Sequence, residues 1–155
     1  MNPAQVHLAL NHFPIIGLLF TLIFLAYGIV KRNDVIVKFS LYLTIFIALV
    51  TLPVFFSGEP AEEIIEETTS VSHDIIHEHE EAGEFAFIFM EVFGVLAIVS
   101  LVLMSKEKFT DRLRYAFLLI GIATFILMAR VGSLGGKIMH PELNMEMPAP
   151  EHDDD

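Results

Sequence analysis

The chain has 155 residues, of which 54% are hydrophobic, with a mean hydropathy of +0.62 and a formal net charge of −11 at pH 7. Apolar residues gathered into long blocks at that level exclude an ordinary water-soluble domain and imply an integral membrane protein. The absence of cysteine excludes a disulfide, a C-x-x-C-H haem attachment, an iron–sulfur cluster and a cysteine nucleophile, so any metal must rest on His, Met or carboxylate.

The chain opens with VHLALNHFPIIG, in which His7 and His12 lead into the first apolar block, Phe13–Val30. Spanning a hydrocarbon core about 30 Å thick at about 1.5 Å per residue takes roughly 20 residues, and this block qualifies. Pro14 suits the first turn of a helix, where its missing N–H is unpaired in any case. His12 is therefore expected at or just inside the membrane boundary, either as an interfacial ring or, in suitable company, as a ligand. With no basic segment before it and no small-residue cleavage site after it, the block is expected to be a span and not a cleaved leader. The second block, Val35–Phe56, is closed by Pro53, Gly58 and Pro60.

From there to the third block, apolar and small residues recur at helical spacing (Ala61, Ile64, Ile65, Thr68, Ser72, Ile75, Ile76), opposite acids and histidines. That pattern predicts an amphipathic helix on the outer surface between the second and third spans. The third span is Phe85–Met104 and the fourth Tyr115–Val131. Uninterrupted Leu, Ile and Phe runs without alternation make all four spans helices, because lipid satisfies no backbone group. The expected fold is therefore all-α: a four-transmembrane-helix up-and-down bundle over residues 1–140. Residues 141–155 form an acidic, Met- and Pro-rich tail that is expected to be disordered.

Seven of the nine bases, Lys31, Arg32, Lys38, Lys106, Lys108, Arg112 and Arg114, flank the two short connections. By the positive-inside rule those connections face the cytoplasm. Both termini, the long 57–84 connection and all seven histidines then lie outside, with every acid except Asp34, Glu107 and Asp111. A nucleic-acid partner is excluded, since no basic patch is left to meet phosphate.

Each hairpin thus begins at a histidine segment: His7 and His12 for the first, His73, His77 and His79 for the second. His79, Gly83, Ala86 and Met90 follow at helical steps, placing an imidazole above a strip of small side chains that a flat ligand can approach. His77, Glu84 and Glu91 repeat on another face, and His73 with His77 forms an i, i+4 pair of metal-ligand spacing. A solvated acidic face explains His73, His77, Glu78 and Glu80 equally well. Glu91 stands about 10 Å inside the third span. A carboxylate there is a functional-site hypothesis with a partner to be named, and Arg130, near the outer end of the fourth span, is that partner on sequence grounds, through Glu84 or Glu91. The glycines of VGSLGGKIMHPE then allow backbones to crowd, and His140 follows.

VHLALNHFPI at the first span, the histidine segment opening the third and GSLGGKIMHPE leaving the fourth resemble the bacterial four-helix membrane family DUF2231, over nearly the whole chain. The resemblance implies a small prokaryotic plasma-membrane protein, and the fusion of some relatives to Rieske domains implies redox chemistry. The family's histidines match His7, His12 and one of His77 or His79. The acid-rich outer helix and the Met-rich tail depart from its pattern, and it brings no reaction to carry over.

Three functions fit these residues. In the first, His12 and His79 (or His77) are axial ligands of a b-type haem near the outer surface, with Arg130 at a propionate and Glu84 and Glu91 as a proton path; electrons come from quinol or pass to a redox partner protein. In the second, His12, His73, His77 and His79 bind Zn²⁺ or Cu²⁺ without haem. In the third, the chain is a cofactor-free structural subunit of a membrane complex. Orientation is directly testable: single cysteines placed at Asn33 and Thr110 are expected to stay unlabelled by an impermeant thiol reagent added to intact cells, and labelling of both would reverse the assignment.

Overall fold

The computed structural model describes residues 3–68 and 73–140, all in helices and their short connections. The helices are α1 (Pro3–Leu10), α2 (His12–Val30), α3 (Asp34–Phe56), α4 (Gly58–Thr68), α5 (His73–Ser105) and α6 (Asp111–Met139). The four long ones are apolar enough to be membrane spans, packed antiparallel. The tail expected over 141–155 lies outside the described residues.

Two helices extend beyond the apolar blocks expected as spans. α5 runs unbroken from His73 through Gly83 into the third block. The amphipathic pattern expected ahead of it falls on α4 and the first turns of α5, and residues 69–72 between them lie outside the described residues. A helix continues past its apolar part as long as its backbone bonds are made, and neither acid nor histidine stops it. At the other end of the chain, α1 and α2 are separated only at Asn11, so that Gln5–Val30 forms one long apolar element.

Each of α2 and α5 packs against both α3 and α6, so the long helices form a ring with α2 and α5 on one diagonal. At the histidine end α1 lies on α4. Leu18, Leu25, Val37, Leu41, Met90 and Phe93 fill the middle with no exposure, and the Phe93 and Phe117 rings stack at 4.4 Å. Only 28–39% of each apolar window is buried within the bundle. The rest, including Phe20, Phe46, Val95 and Leu119, faces outward as an apolar surface too extensive for water.

Apolar helices in lipid gain little by hiding apolar surface from one another, so association depends on close packing. Glycine provides it here. A Cβ added at Gly94 would stand 2.6 Å from the Ala48 Cβ, and one at Gly121 would stand 2.6 Å from Leu22. Thr21, Ser40, Thr44, Thr51, Ser100 and Thr124 fill further interior positions. Each hydroxyl donates to a carbonyl three or four residues back in its own helix, at 2.7–2.9 Å, so none leaves an orphan donor.

The connection end is latched by charge. Asn33 caps α3, its Oδ1 accepting from Val35 and Ile36 N–H at 3.0 and 3.2 Å. Arg114 of α6 meets Asp34 of α3 at 2.7 Å, donates to the Phe109 carbonyl at 3.3 Å and lies over the Phe109 ring. The glycine contacts yield a paired test: Gly94→Ala forces α3 and α5 apart and is expected to lower stability in detergent by about 1–3 kcal/mol. Gly83→Ala, which meets nothing within 4 Å, is expected to raise it by about 0.5–1 kcal/mol by stiffening the unfolded chain. Thermal unfolding of the two variants measures both.

Candidate functional site

At the histidine end two imidazoles are fixed by backbone carbonyls. His7, on α1, reaches the C-terminal turn of α3, where its Nδ1 lies 3.1 Å from the Val54 carbonyl oxygen and 3.2 Å from Ser57 Oγ. The Ser57 hydroxyl donates its own proton to that carbonyl, at 2.9 Å. Both neighbours of Nδ1 are therefore acceptors, so Nδ1 carries a proton. His79, on α5, repeats the arrangement across the bundle: its Nδ1 lies 3.1 Å from the Val131 carbonyl oxygen of α6, and again only the ring can donate. In the neutral form each ring then presents Nε2 as a lone pair. An N–H held by a backbone carbonyl while the opposite nitrogen stays available is the support that a ligating histidine ordinarily has.

Glycine adjoins the second of these contacts. A Cβ at Gly135 would stand 3.2 Å from His79 Cε1, so the ring would have to give by a few tenths of an ångström. His7 lies over Gly58, where a Cβ would make ordinary contact at 3.7 Å. Both rings are half-buried and lie within electrostatic reach of each other. Four helices thus converge on the pair, since α1 and α5 bring the rings while α3 and α6 bring the carbonyls. One turn below His79, Gly83 has nothing within 4 Å of a virtual Cβ, and the same is true of Gly136 on α6. Ala86 and Met90 continue the His79 strip into the core, at 2% and 0% exposure. One turn after His7, at the break between α1 and α2, Asn11 Oδ1 is enclosed with no hydrogen-bond partner among the described residues.

The other sequence candidates are placed elsewhere. His12 is exposed and borders an apolar groove of about 400 Å³ walled by Phe13, Ile16, Phe20 and Ile47. His73 and Glu84 are exposed, and so is His77, which sits 3.7 and 3.6 Å from the carboxylates of Glu80 and Glu81 on its own helix. Among the described residues no group of three or more His, Asp or Glu is placed to hold a metal ion.

The partner expected for Arg130 requires correction. Its Nη2 donates to Glu78 Oε1 at 2.9 Å, with both side chains at least half exposed, so it reaches up to the α5 surface and not down to Glu84 or Glu91. The physical reason is the cost of desolvation: a guanidinium near a helix end extends toward the polar boundary where its charge stays hydrated. Glu91 is left deeper in α5, its Oε1 enclosed and without a hydrogen-bond partner among the described residues.

His7, Ser57 and Val54 form the part of the site not chosen from sequence. The VHLALNH spacing shows two histidines on different helical faces and cannot say which of them turns toward α3. The adjacent Ser57 and Gly58, a small hydroxyl and a bare backbone at a helix end, are the signal that marks the receiving surface.

Together these features define a four-helix candidate membrane protein with an anchored histidine pair at one end of the bundle. Comparison with family models, curated proteins and solved structures finds no match to the chain. The revised ion pair has its own test: in a double-mutant cycle Arg130→Ala and Glu78→Gln are expected to couple by about 0.2–1 kcal/mol, as exposed pairs do. Arg130→Ala and Glu91→Gln are expected to be additive, and coupling between them would restore the deeper pairing.

Proposed function

We propose that this protein is a prokaryotic plasma-membrane electron-transfer protein that holds a b-type haem between His7 and His79, with the histidine end on the periplasmic side. The observation that carries the reading is the pair of imidazoles from the two hairpins, each with Nδ1–H on a backbone carbonyl and Nε2 available. Two such donors complete the coordination of a haem iron, whose macrocycle supplies the remaining nitrogens, whereas Zn²⁺ or Cu²⁺ asks the protein for three or four. The bare backbone at Gly83, below His79, and at Gly136 offers the flat clearance a macrocycle needs. The concentration of Lys and Arg at the connection end supports the orientation. The likeness to DUF2231 enters the same proposal, since its histidine pattern takes in His7.

Bound haem supplies reversible one-electron transfer. The chain's own residues do the rest. The Val54 and Val131 carbonyls hold the two rings in one tautomer, which leaves both Nε2 lone pairs to a ligand. Arg130 keeps N–H donors beyond the one engaged by Glu78, and these suit a propionate at the surface. A quinol donor dissolved in the membrane would meet His12 at the mouth of its apolar groove, where one imidazole can accept a hydroxyl proton.

A reduced-minus-oxidised visible spectrum of protein purified from haem-replete cells tests the reading. Low-spin b-type bands are expected, lost in His7→Ala, His79→Ala and Gly135→Val, and retained in His12→Ala. A spectrum without haem bands, or one lost with His12 and kept without His7, overturns it.

A further inference from the structure

Glu91 takes no part in holding the haem, and its surroundings are unusual for a carboxylate. Two contacts bracket it on the face where α5 meets α3. One turn toward the histidine end, Phe87 stacks on Phe55 at 4.0 Å. One turn the other way, Gly94 packs against Ala48 so tightly that a Cβ would clash. In the register these contacts set, Glu91 stands level with Thr51 of α3, itself buried at 4% exposure. The carboxyl is thus roofed by an aromatic stack and floored by a glycine contact.

What faces it is an acceptor. The Thr51 hydroxyl gives its proton to the Ile47 carbonyl at 2.8 Å, so its oxygen has only lone pairs left to offer. An ionised carboxylate is also acceptor-only, whereas a carboxylic acid brings one O–H donor. Nor is a Lys or Arg at hand, and the nearest imidazole, His7, gives its Nδ1–H to the Val54 carbonyl one turn of α3 higher. On α3 no titratable side chain follows Tyr42; on α6 none lies between Tyr115 and Arg130, which is turned to Glu78. On α5 the neighbours are Glu84, two turns up, and nothing below, and on α2 only His12 and Tyr27, at its two ends. α4, which also touches α5, ends well above this level.

We propose that Glu91 is a proton-binding site inside the membrane-spanning part of the bundle, a neutral carboxylic acid held between α3 and α5 at the level of Thr51. The assignment rests on α3 and α5 alone and is independent of whether the histidine pair binds haem. It also places a titratable group one turn of α3 below the Val54 carbonyl that holds His7, where low dielectric lets charge at one site be felt at the other.

A carboxylic acid in an apolar site is attacked selectively by a lipid-soluble carbodiimide. The acid proton moves to a carbodiimide nitrogen, the carboxyl oxygen bonds to the central carbon, and an oxygen-to-nitrogen acyl shift leaves a stable acylurea with no group lost. Full-length protein in phosphatidylcholine vesicles is treated at neutral pH with dicyclohexylcarbodiimide or with a water-soluble carbodiimide, and the peptides are read by mass spectrometry. The lipid-soluble reagent is expected to modify Glu91 at least tenfold more than the water-soluble one. Glu91→Gln, isosteric with the neutral acid, is expected to lose the adduct and keep the wild-type melting temperature. An unmodified Glu91, equal modification by both reagents, or reactivity confined to below about pH 5, as for a solvated carboxyl, would each overturn the proposal.

Discussion

A helix in lipid must satisfy its own backbone, and once it has done so its carbonyls still hold a second lone pair. The histidine end of this bundle is built on that surplus. Val54 and Val131 each lend a carbonyl to an imidazole from another helix, and those two bonds determine which ring nitrogen carries the proton, which way each ring faces and which nitrogen is left for a ligand. Ser57, Gly58 and Gly135 serve the same two bonds, Ser57 as a second acceptor and the glycines as clearance.

The interior follows a related economy of polar groups. Six buried hydroxyls turn back on their own helices, which allows small side chains at the interfaces without orphan donors and lets glycine set the spacing between backbones. The consequence is a bundle whose helices touch closely at a few points and leave most of their apolar surface for the surroundings. Charge is kept to the ends: Arg114 with Asp34 at one, Arg130 with Glu78 at the other. Glu91 is the exception, a carboxyl in the apolar part whose enclosed oxygen has no donor facing it. A polar group so placed is either neutral or compensated, and the side chains around it offer no compensation.

Much of this was legible in the residues. Hydropathy and length gave four helices, because the lipid requirement leaves a chain of such blocks almost no alternative. The strip His79, Gly83, Ala86, Met90 marked the inward face of α5, since helical periodicity alone decides which side chains share a face, and Glu91 stood out as an acid in an apolar run. Less legible was where α5 starts, because hydropathy reports the membrane and not the helix, and this helix extends about three turns beyond its apolar part.

Hydropathy and residue order are enough for an all-α chain of four candidate membrane spans, with histidines ahead of the first and third and an acid placed inside an apolar run. Which histidine comes near His79 and which acid meets Arg130 depend on how the helices pack. His7 and His12 both precede the first span, and the choice between them depends on the direction in which α1 leaves Asn11 to lie on α4. Arg130 has Glu78, Glu84 and Glu91 at comparable separations along the chain, and the choice depends on depth, because a long cationic side chain moves toward water. Both outcomes are set by rotation and height of one helix against another, and a one-dimensional pattern carries periodicity but neither of those coordinates.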